Sequence, residues 1–240
     1  MEPYEPLHLI STNEDDSAAL SITEPAVLSS LAKLNPRKTT GQDGIGSWLL
    51  REYAEILVQP ISSILNASFR EQKLPTSWKL ADVVPLPKQK PVEDLSKRLR
   101  PISLTPAISK LAEDFVVSHV GSAVLQTIDF NQYGGIPISS TLYALISTIH
   151  HSSQATDGTG AAVRVVLFDY RKAFDLIDHN LLATKILSLD IPRSISGWVL
   201  DFLTDSKTAS QINNELSVGL WGPVPAGISQ GTNSVPGCSC

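Results

Sequence analysis

Cysteine is nearly missing from this 240-residue chain: the only two, Cys238 and Cys240, stand one residue apart at the end of the sequence. They cannot staple the body of a fold, so the composition indicates a reducing compartment rather than secretion. A Cys-x-Cys pair can form half of a metal site, but neither a histidine nor a further cysteine stands near it. A frayed tail is therefore the preferred interpretation.

Long apolar runs are also missing. Stretches such as Val165 to Phe168 fall far short of the roughly 18 residues that cross a bilayer. The first residues, Met-Glu-Pro-Tyr-Glu, lack the basic and then apolar pattern of a signal peptide. We therefore expect an intracellular chain that is neither secreted nor membrane-bound, with cytoplasm and nucleus both open.

Positive charge is scarce overall but concentrated in one segment. The net charge is −5, yet nine basic and four acidic residues between Arg70 and Lys110 give that segment +5 and leave −10 for the rest. Interspersed prolines place these basic side chains on loops and short strands, where they can meet phosphates. On charge alone, a solvated charged surface is the preferred interpretation and a nucleic-acid site is the alternative.

The hydrophobic periodicity predicts an α+β fold, an α/β mixture in the broad sense. A flexible acidic lead-in occupies residues 1–20. A strand over residues 162–168, apolar at nearly every position, is expected to be central in a sheet and to end at Asp169. The other predicted elements are a helix capped by Thr23, two helices over 47–69 hinged at Pro60, a hairpin of 81–88 with 100–104, and helices over 106–126, 139–152, 180–189 (capped by Asp178) and 194–203.

A carboxylate at the end of a buried strand is held rigidly while it faces a cleft, and this makes Asp169 a candidate metal ligand. Mg²⁺ takes carboxylate oxygens and substrate phosphates, and nucleotidyl transfer commonly uses two such ions. Taken alone, an aspartate after a strand is more often a turn former. Asp175 and His179 stand where the chain turns into a helix, and a structural capping role explains them better than acid–base catalysis.

The stretch from Leu167 to His179, LFDYRKAFDLIDH, resembles motif A of reverse transcriptases from retrotransposons that lack long terminal repeats, the LINE-type class. Further family-like pieces precede and follow it in the expected order over residues 22–232. They are GQDGI at 41–45, LPxxW at 74–78, PLPK at 85–88, RPISL at 100–104, NQYG at 131–134 and the motif B-like AGISQGT at 226–232.

This resemblance implies a reverse transcriptase domain within residues 21–232, with fingers over 21–155, an incomplete palm over 156–232 and a non-family tail over 233–240. It implies that Asp169 ligates both catalytic Mg²⁺ (or Mn²⁺) ions with help from the Tyr170 carbonyl. Phe174 falls on the steric-gate position, where a bulky ring excludes a 2′-hydroxyl and selects deoxynucleotides.

The same resemblance assigns binding roles to residues on either side of motif A. Arg100, helped by Lys88, would grip the incoming triphosphate, while Gln230 and Gly231 would lie beside the nascent base pair. The implied partners are an RNA template, a DNA primer and deoxynucleoside triphosphates, with no membrane partner.

The family's paired aspartates, which supply the remaining metal ligands, have no counterpart here, because no Asp-Asp dipeptide follows residue 16. One carboxylate and one carbonyl cannot hold two divalent ions against their mutual repulsion. The sequence is therefore expected to be a truncated domain, inactive by itself. Two alternatives stay open: a nucleic-acid-binding remnant without catalysis, and a helical interaction scaffold that uses the amphipathic segments 23–34 and 47–69.

Overall fold

The computed structural model describes residues 20–87, 99–158, 160, 162–170, 176–204, 206–212, 215–216 and 222–223. These ranges contain seven α-helices and a small mixed sheet, and this confirms the predicted α+β class. In chain order the elements are α1 (Glu24–Ala32), α2 (Ser47–Glu52), α3 (Ala54–Glu71), a 3₁₀ turn (Thr76–Lys79), β1 (Leu80–Pro87), β2 (Leu99–Leu104), α4 (Ala107–Thr127), α5 (Thr141–Thr156), α6 (His179–Leu187), α7 (Arg193–Leu203), β3 (Lys207–Ile212), β4 (Glu215–Leu216) and β5 (Gly222–Pro223).

The main core lies where α1, α3, α4 and α7 pack together. Leu31 of α1 and Leu65 and Phe69 of α3 are almost completely buried, each contributing about 1.5–3 kcal/mol relative to an exposed side chain. Trp198 of α7 packs against Phe69 with ring centroids 5.6 Å apart. Its indole Nε1 donates to Ser68 Oγ at 2.9 Å, so a tryptophan late in the chain completes the helical core built by the first third.

Several helix ends follow the local signals in the sequence. Thr23 precedes α1 as predicted, although its side chain makes no cap hydrogen bond and its backbone carbonyl accepts from Ala26 N and Val27 N instead. Asp178 caps α6 with its side chain, since Oδ1 accepts from Asn180 N at 2.7 Å. These positions confirm the predicted starts of the two helices.

The predicted hinge at Pro60 is wrong. Helix α3 runs through Pro60, and the break falls at Tyr53, whose φ of −100° and ψ of 24° separate α2 from α3. Proline removes the hydrogen bond to the carbonyl four residues earlier, which belongs to Ile56. Both residues are exposed, Ile56 at 73%, so water can satisfy that carbonyl and the helix continues.

The sheet is ordered β2-β1-β3-β4, with β5 also paired to β3. Strands β1 and β2 form the predicted antiparallel hairpin, whose register runs from Asp82 opposite Leu104 to Pro87 opposite Leu99. Strand β3 lies parallel to β1 on the other side, with Leu80 opposite Lys207. Strands β1 and β3 therefore both lie in the interior of the sheet.

Gly41, in the GQDGI loop, approaches the start of α4 so closely that it has no room for a side chain. A Cβ at this position would lie 2.6 Å from Pro106 N and 2.7 Å from the Thr105 carbonyl carbon. Because these contacts are backbone atoms, they cannot shift without distorting the fold.

Across the described ranges, no helix combines the length and apolarity that spanning a bilayer requires.

Candidate functional site

The β1–β2 hairpin carries the one predicted binding residue that the structure places on a regular element. Arg100 is exposed on β2 and lies opposite Leu86, one pair before the hairpin's last described pair. Lys88 follows β1 directly but lies outside the described residues, as does the rest of the predicted basic tip up to residue 98. Arg100 therefore stands at the distal end of the hairpin, with its guanidinium accessible to an anion.

The opposite end of the hairpin is anchored by an ion pair. Lys79, just before β1, contacts Asp201 of α7 with Nζ 2.9 Å from Oδ1, and the two side chains are 11% and 24% exposed. The other oxygen, Oδ2, accepts from the backbone N–H of Leu74 at 2.7 Å. One carboxylate thus ties the 3₁₀ turn and the start of β1 to α7.

The basic segment between Arg70 and Lys110 does not form one uniform surface. Lys79 is committed to its ion pair, and Lys110 is half-buried in the first turn of α4. Burial lowers the pKa of Lys110, Glu113 works against that shift, and Lys38 adds to it. Of the nine basic residues in this segment, the described ones with exposed side chains are Arg70, Lys73 and Arg100.

Asp82 places a buried carboxylate at the base of the β1–β2 hairpin. Asp82 of β1 is 8% exposed and lies between Leu104 of β2 and Ala209 of β3. Desolvation by this burial raises the pKa of the Asp82 carboxyl. In the described part of the chain its Oδ1 has no hydrogen-bond partner, and neither does the buried Thr105 Oγ1 just after β2.

The predicted central strand over residues 162–168 is wrong. Residues 162–170 lie in no helix or strand, and Leu167 and Phe168 are 91% and 85% exposed. A strand requires a neighbour for its backbone N–H and C=O groups, and the apolar character of a segment cannot supply one. Asp169 and Tyr170 are accordingly exposed on an irregular segment rather than held at a strand tip.

The described residues do not gather the ligands of a two-metal centre. No group of three or more His, Cys, Asp or Glu residues capable of holding a metal ion occurs within the described ranges. Asp169 with the Tyr170 carbonyl supplies too few ligands for two divalent ions. The described residues alone therefore do not fit the two-metal centre that the resemblance implies.

Of the five remaining predicted residues, the structure describes His179. Phe174, Gln230 and Gly231 lie outside the described residues, together with Asp175. His179 is the first residue of α6 and is buried. The roles that the resemblance implies for Phe174, Gln230 and Gly231 therefore stay predictions.

Sequence reasoning missed two acidic residues at the hairpin base, the buried Asp82 and the ion-paired Asp201. Asp82 had a visible signal, because an acidic residue interrupts an otherwise apolar and β-branched run from Leu80 to Val84. Asp201 had none. Its partners precede it by more than a hundred positions, and no local pattern reports such a contact.

Residues 86–237 match the family described as "Reverse transcriptase (RNA-dependent DNA polymerase)", which covers the distal end of β1, β2 and all later elements. The chain belongs to the reverse transcriptase family. More narrowly, it carries a reverse transcriptase domain of the retrotransposon type, as its similarity to curated proteins indicates.

Three relatives illustrate this similarity. The "Probable RNA-directed DNA polymerase from transposon BS" of Drosophila melanogaster is 25% identical over 208 residues, which cover 86% of this chain and 22% of that protein. The "Transposon TX1 uncharacterized 149 kDa protein" of Xenopus laevis is 22% identical over 91% of this chain and 17% of its own length. The "RNA-directed DNA polymerase from mobile element jockey" of Drosophila melanogaster is 24% identical over 88% of this chain and 23% of its own length. The chain thus spans about a fifth of the length of these relatives.

Proposed function

We propose that this chain supplies the fingers, over residues 21–155, and part of the palm, over 156–232, of a polymerase that copies RNA into DNA. Its partners would be an RNA template, a DNA primer and deoxynucleoside triphosphates. The observation that carries the proposal is the position of Arg100, exposed at the distal end of a hairpin whose base is fixed to α7.

Arg100 suits a phosphate ligand for chemical reasons. A guanidinium is permanently charged and offers paired N–H donors that match two phosphate oxygens. Its strand position fixes the backbone that carries the guanidinium, so little backbone entropy is lost when it binds. Lys88, which follows the facing strand, would add a second positive charge near the same phosphates.

Catalysis would require more than the ligands gathered in the described residues. By family resemblance, Asp169 and the Tyr170 carbonyl would bind Mg²⁺ or Mn²⁺, Phe174 would exclude ribonucleotides, and Gln230 with Gly231 would contact the nascent base pair. The metal ions would supply charge stabilisation for phosphoryl transfer. We expect the 240-residue chain alone to bind nucleic acid without extending a primer, because its sequence holds no paired aspartates beyond residue 16.

Affinity for a primed RNA template, measured by fluorescence anisotropy over a series of salt concentrations, tests the binding role. Affinity should fall steeply with salt, because each neutralised phosphate releases counterions. Replacing Arg100 with alanine should weaken binding for every template sequence and reduce the slope of log affinity against log salt by about 1.

Arg193→Ala provides the matched control, since Arg193 is also exposed but begins α7, away from the hairpin in sequence. This variant should keep both the affinity and the salt slope of the parent chain. Affinity that does not depend on salt would favour a protein-interaction scaffold over a polymerase fragment. Equal losses from the two arginine variants would show that Arg100 acts only through the overall charge.

A further inference from the structure

Asp82 is an ionisable residue with a paired strand on each side. Its position in β1 lies opposite Leu104 of β2 and opposite Ala209 of β3. Asp82 is 8% exposed and Ala209 is 6% exposed, so the strands enclose the carboxyl group between them. A buried carboxylate is ordinarily tolerated only when a cation or several hydrogen-bond donors compensate its lost hydration.

The described residues give Asp82 no such compensation. Its Oδ1 is buried and has no hydrogen-bond partner among them. Within the described ranges, no Lys, Arg or His forms an ion pair with this carboxylate. Beyond Lys207 the sequence contains no lysine, arginine or histidine, so the residues that follow β3 supply no cation either.

The charged groups on the neighbouring elements are directed to other contacts or lie elsewhere along the strands. Before β1, Lys79 is paired with Asp201 of α7. On the other elements, Arg100 of β2 is opposite Leu86 at the distal end, Lys207 of β3 is exposed opposite Leu80, and Lys110 interacts with Glu113 of the same helix, α4.

This arrangement stabilises the neutral form of the carboxyl. Desolvation by burial raises the pKa of Asp82 above its ordinary value. A carboxyl group with a raised pKa in the closed sheet favours that sheet while it is protonated. Once the group ionises, any opening that returns it to water becomes easier.

Strand β3 is the side of the sheet that is expected to open. The β1–β2 hairpin is joined by six antiparallel pairs, from Asp82 opposite Leu104 to Pro87 opposite Leu99. Strand β3 is joined to β1 by only four pairs, and these are parallel, a geometry that is slightly less stable per residue. Strands β4 and β5 pair with β3 and not with β1, so they can leave together with it. Local openings of this kind require less free energy than unfolding of the whole chain.

We propose that Asp82 is a pH-sensitive switch: β3 stays paired with β1 while the carboxyl is protonated, and ionisation releases β3 while the β1–β2 hairpin persists. The proposal does not depend on the polymerase assignment. In the sequence, β3 leads toward the motif B-like segment 226–232, so the switch would control how the hairpin that carries Arg100 is joined to the C-terminal part of the chain.

Amide hydrogen exchange of the full 240-residue chain, followed by NMR and corrected for the intrinsic effect of pH, tests the switch. Protection of the β3 amides that bond to β1 should fall about tenfold for each pH unit between the ordinary pKa of the carboxyl and its pKa in the folded chain. Above the folded pKa, protection should level off. Amides of β2 that bond to β1 should keep their protection over the same range.

The carboxyl carbon of Asp82 provides a check that needs no variant. Its ¹³C chemical shift should titrate at the pH at which the loss of β3 protection ends. Asp82→Asn, which cannot ionise, should make β3 protection independent of pH. Asp190→Asn is the matched control, because Asp190 is exposed, and it should respond to pH like the parent chain.

Three results would overturn the proposal. The first is β3 protection that does not change with pH in the parent chain. The second is an equal loss of protection in β2 and β3, which would mean that the whole sheet unfolds rather than one strand. The third is an Asp82→Asn variant that keeps the pH response of the parent chain.

Discussion

The carboxylate of Asp201 is expected to be a main determinant of how the hairpin base is held on α7. Replacing Asp201 with alanine removes the partner of Lys79, whose side chain is only 11% exposed, and leaves the buried backbone N–H of Leu74 without an acceptor. Breaking a buried ion pair costs about 3–5 kcal/mol, and a lost hydrogen bond to a charged group about 1.5–3 kcal/mol. Because Asp201 is itself about a quarter exposed, solvent moderates the loss, and we expect about 2–4 kcal/mol of destabilisation.

Lys79→Met separates the charge from the packing of the long side chain. Methionine keeps the apolar stem, while the Asp201 carboxylate retains its hydrogen bond from Leu74 N and its contact with water. This variant should therefore lose only about 1 kcal/mol. Most of the cost of Asp201→Ala arises from the stranded ammonium, so the double variant should lose about 1–2 kcal/mol less than the sum of the single losses.

Urea unfolding followed by tryptophan fluorescence measures these free energies, since Trp198 lies one helical turn before Asp201. Asp190→Ala is the control, because Asp190 is exposed just before α7 and its loss should change stability by less than about 0.5 kcal/mol. Additive losses from Asp201→Ala and Lys79→Met would refute the coupling. A loss below about 0.5 kcal/mol for Asp201→Ala would refute the whole reasoning.

Three further outcomes are expected. Gly41→Ala should lower the free energy of unfolding by more than about 2 kcal/mol, because the new Cβ would meet backbone atoms. Gly121→Ala, in an open part of α4, should raise it by about 0.5–1 kcal/mol through helix propensity. Urea unfolding that ranks the two variants alike would contradict this. Burial raises the pKa of the Asp82 carboxyl, so its contribution to stability is complete below the ordinary pKa of the carboxyl and is lost as pH rises through the pKa in the folded state. Asp82→Asn should therefore make the free energy of unfolding depend less on pH across that interval. An unchanged pH profile would argue against burial as the cause. The 240-residue chain should show no Mg²⁺-dependent DNA synthesis on a primed RNA template. Extension with a family-type segment that bears paired aspartates should restore synthesis, and Asp169→Ala in the extended chain should abolish it. Incorporation of nucleotides by the unextended chain would show that its metal ions need fewer ligands.

Local sequence signals predicted most of the helices and the hairpin. The spacing of apolar residues predicted α1, α4, α5, α6 and α7 to within a few residues, because helix period and capping depend on neighbours within one or two turns. The β-branched run and its proline-bounded partner likewise predicted the pairing of β1 with β2. The ordered motifs predicted the family, which the match over residues 86–237 confirms.

The helix break at Pro60 and the strand over residues 162–168 were predicted wrongly, because both depend on contacts outside the local sequence. Pro60 removes one backbone hydrogen bond from α3, and the helix continues because Ile56 is exposed and its carbonyl can accept from water. The run over 162–168 has the composition of a central strand, but pairing decides whether a strand forms. In the described structure β1 pairs with β2 and β3, while residues 162–168 belong to no strand.

The sequence by itself thus determined where α1 and the helices from α4 to α7 lie, which segments form the hairpin, and to which family the chain belongs. The tertiary structure decided which charges are withdrawn from solvent: Lys79 is paired with Asp201, Lys110 is half-buried, Asp82 is buried, and Arg100 is exposed. Capping and periodicity are properties of a few adjacent residues, whereas burial and ion pairing depend on segments that lie more than a hundred residues apart and meet only in the folded chain.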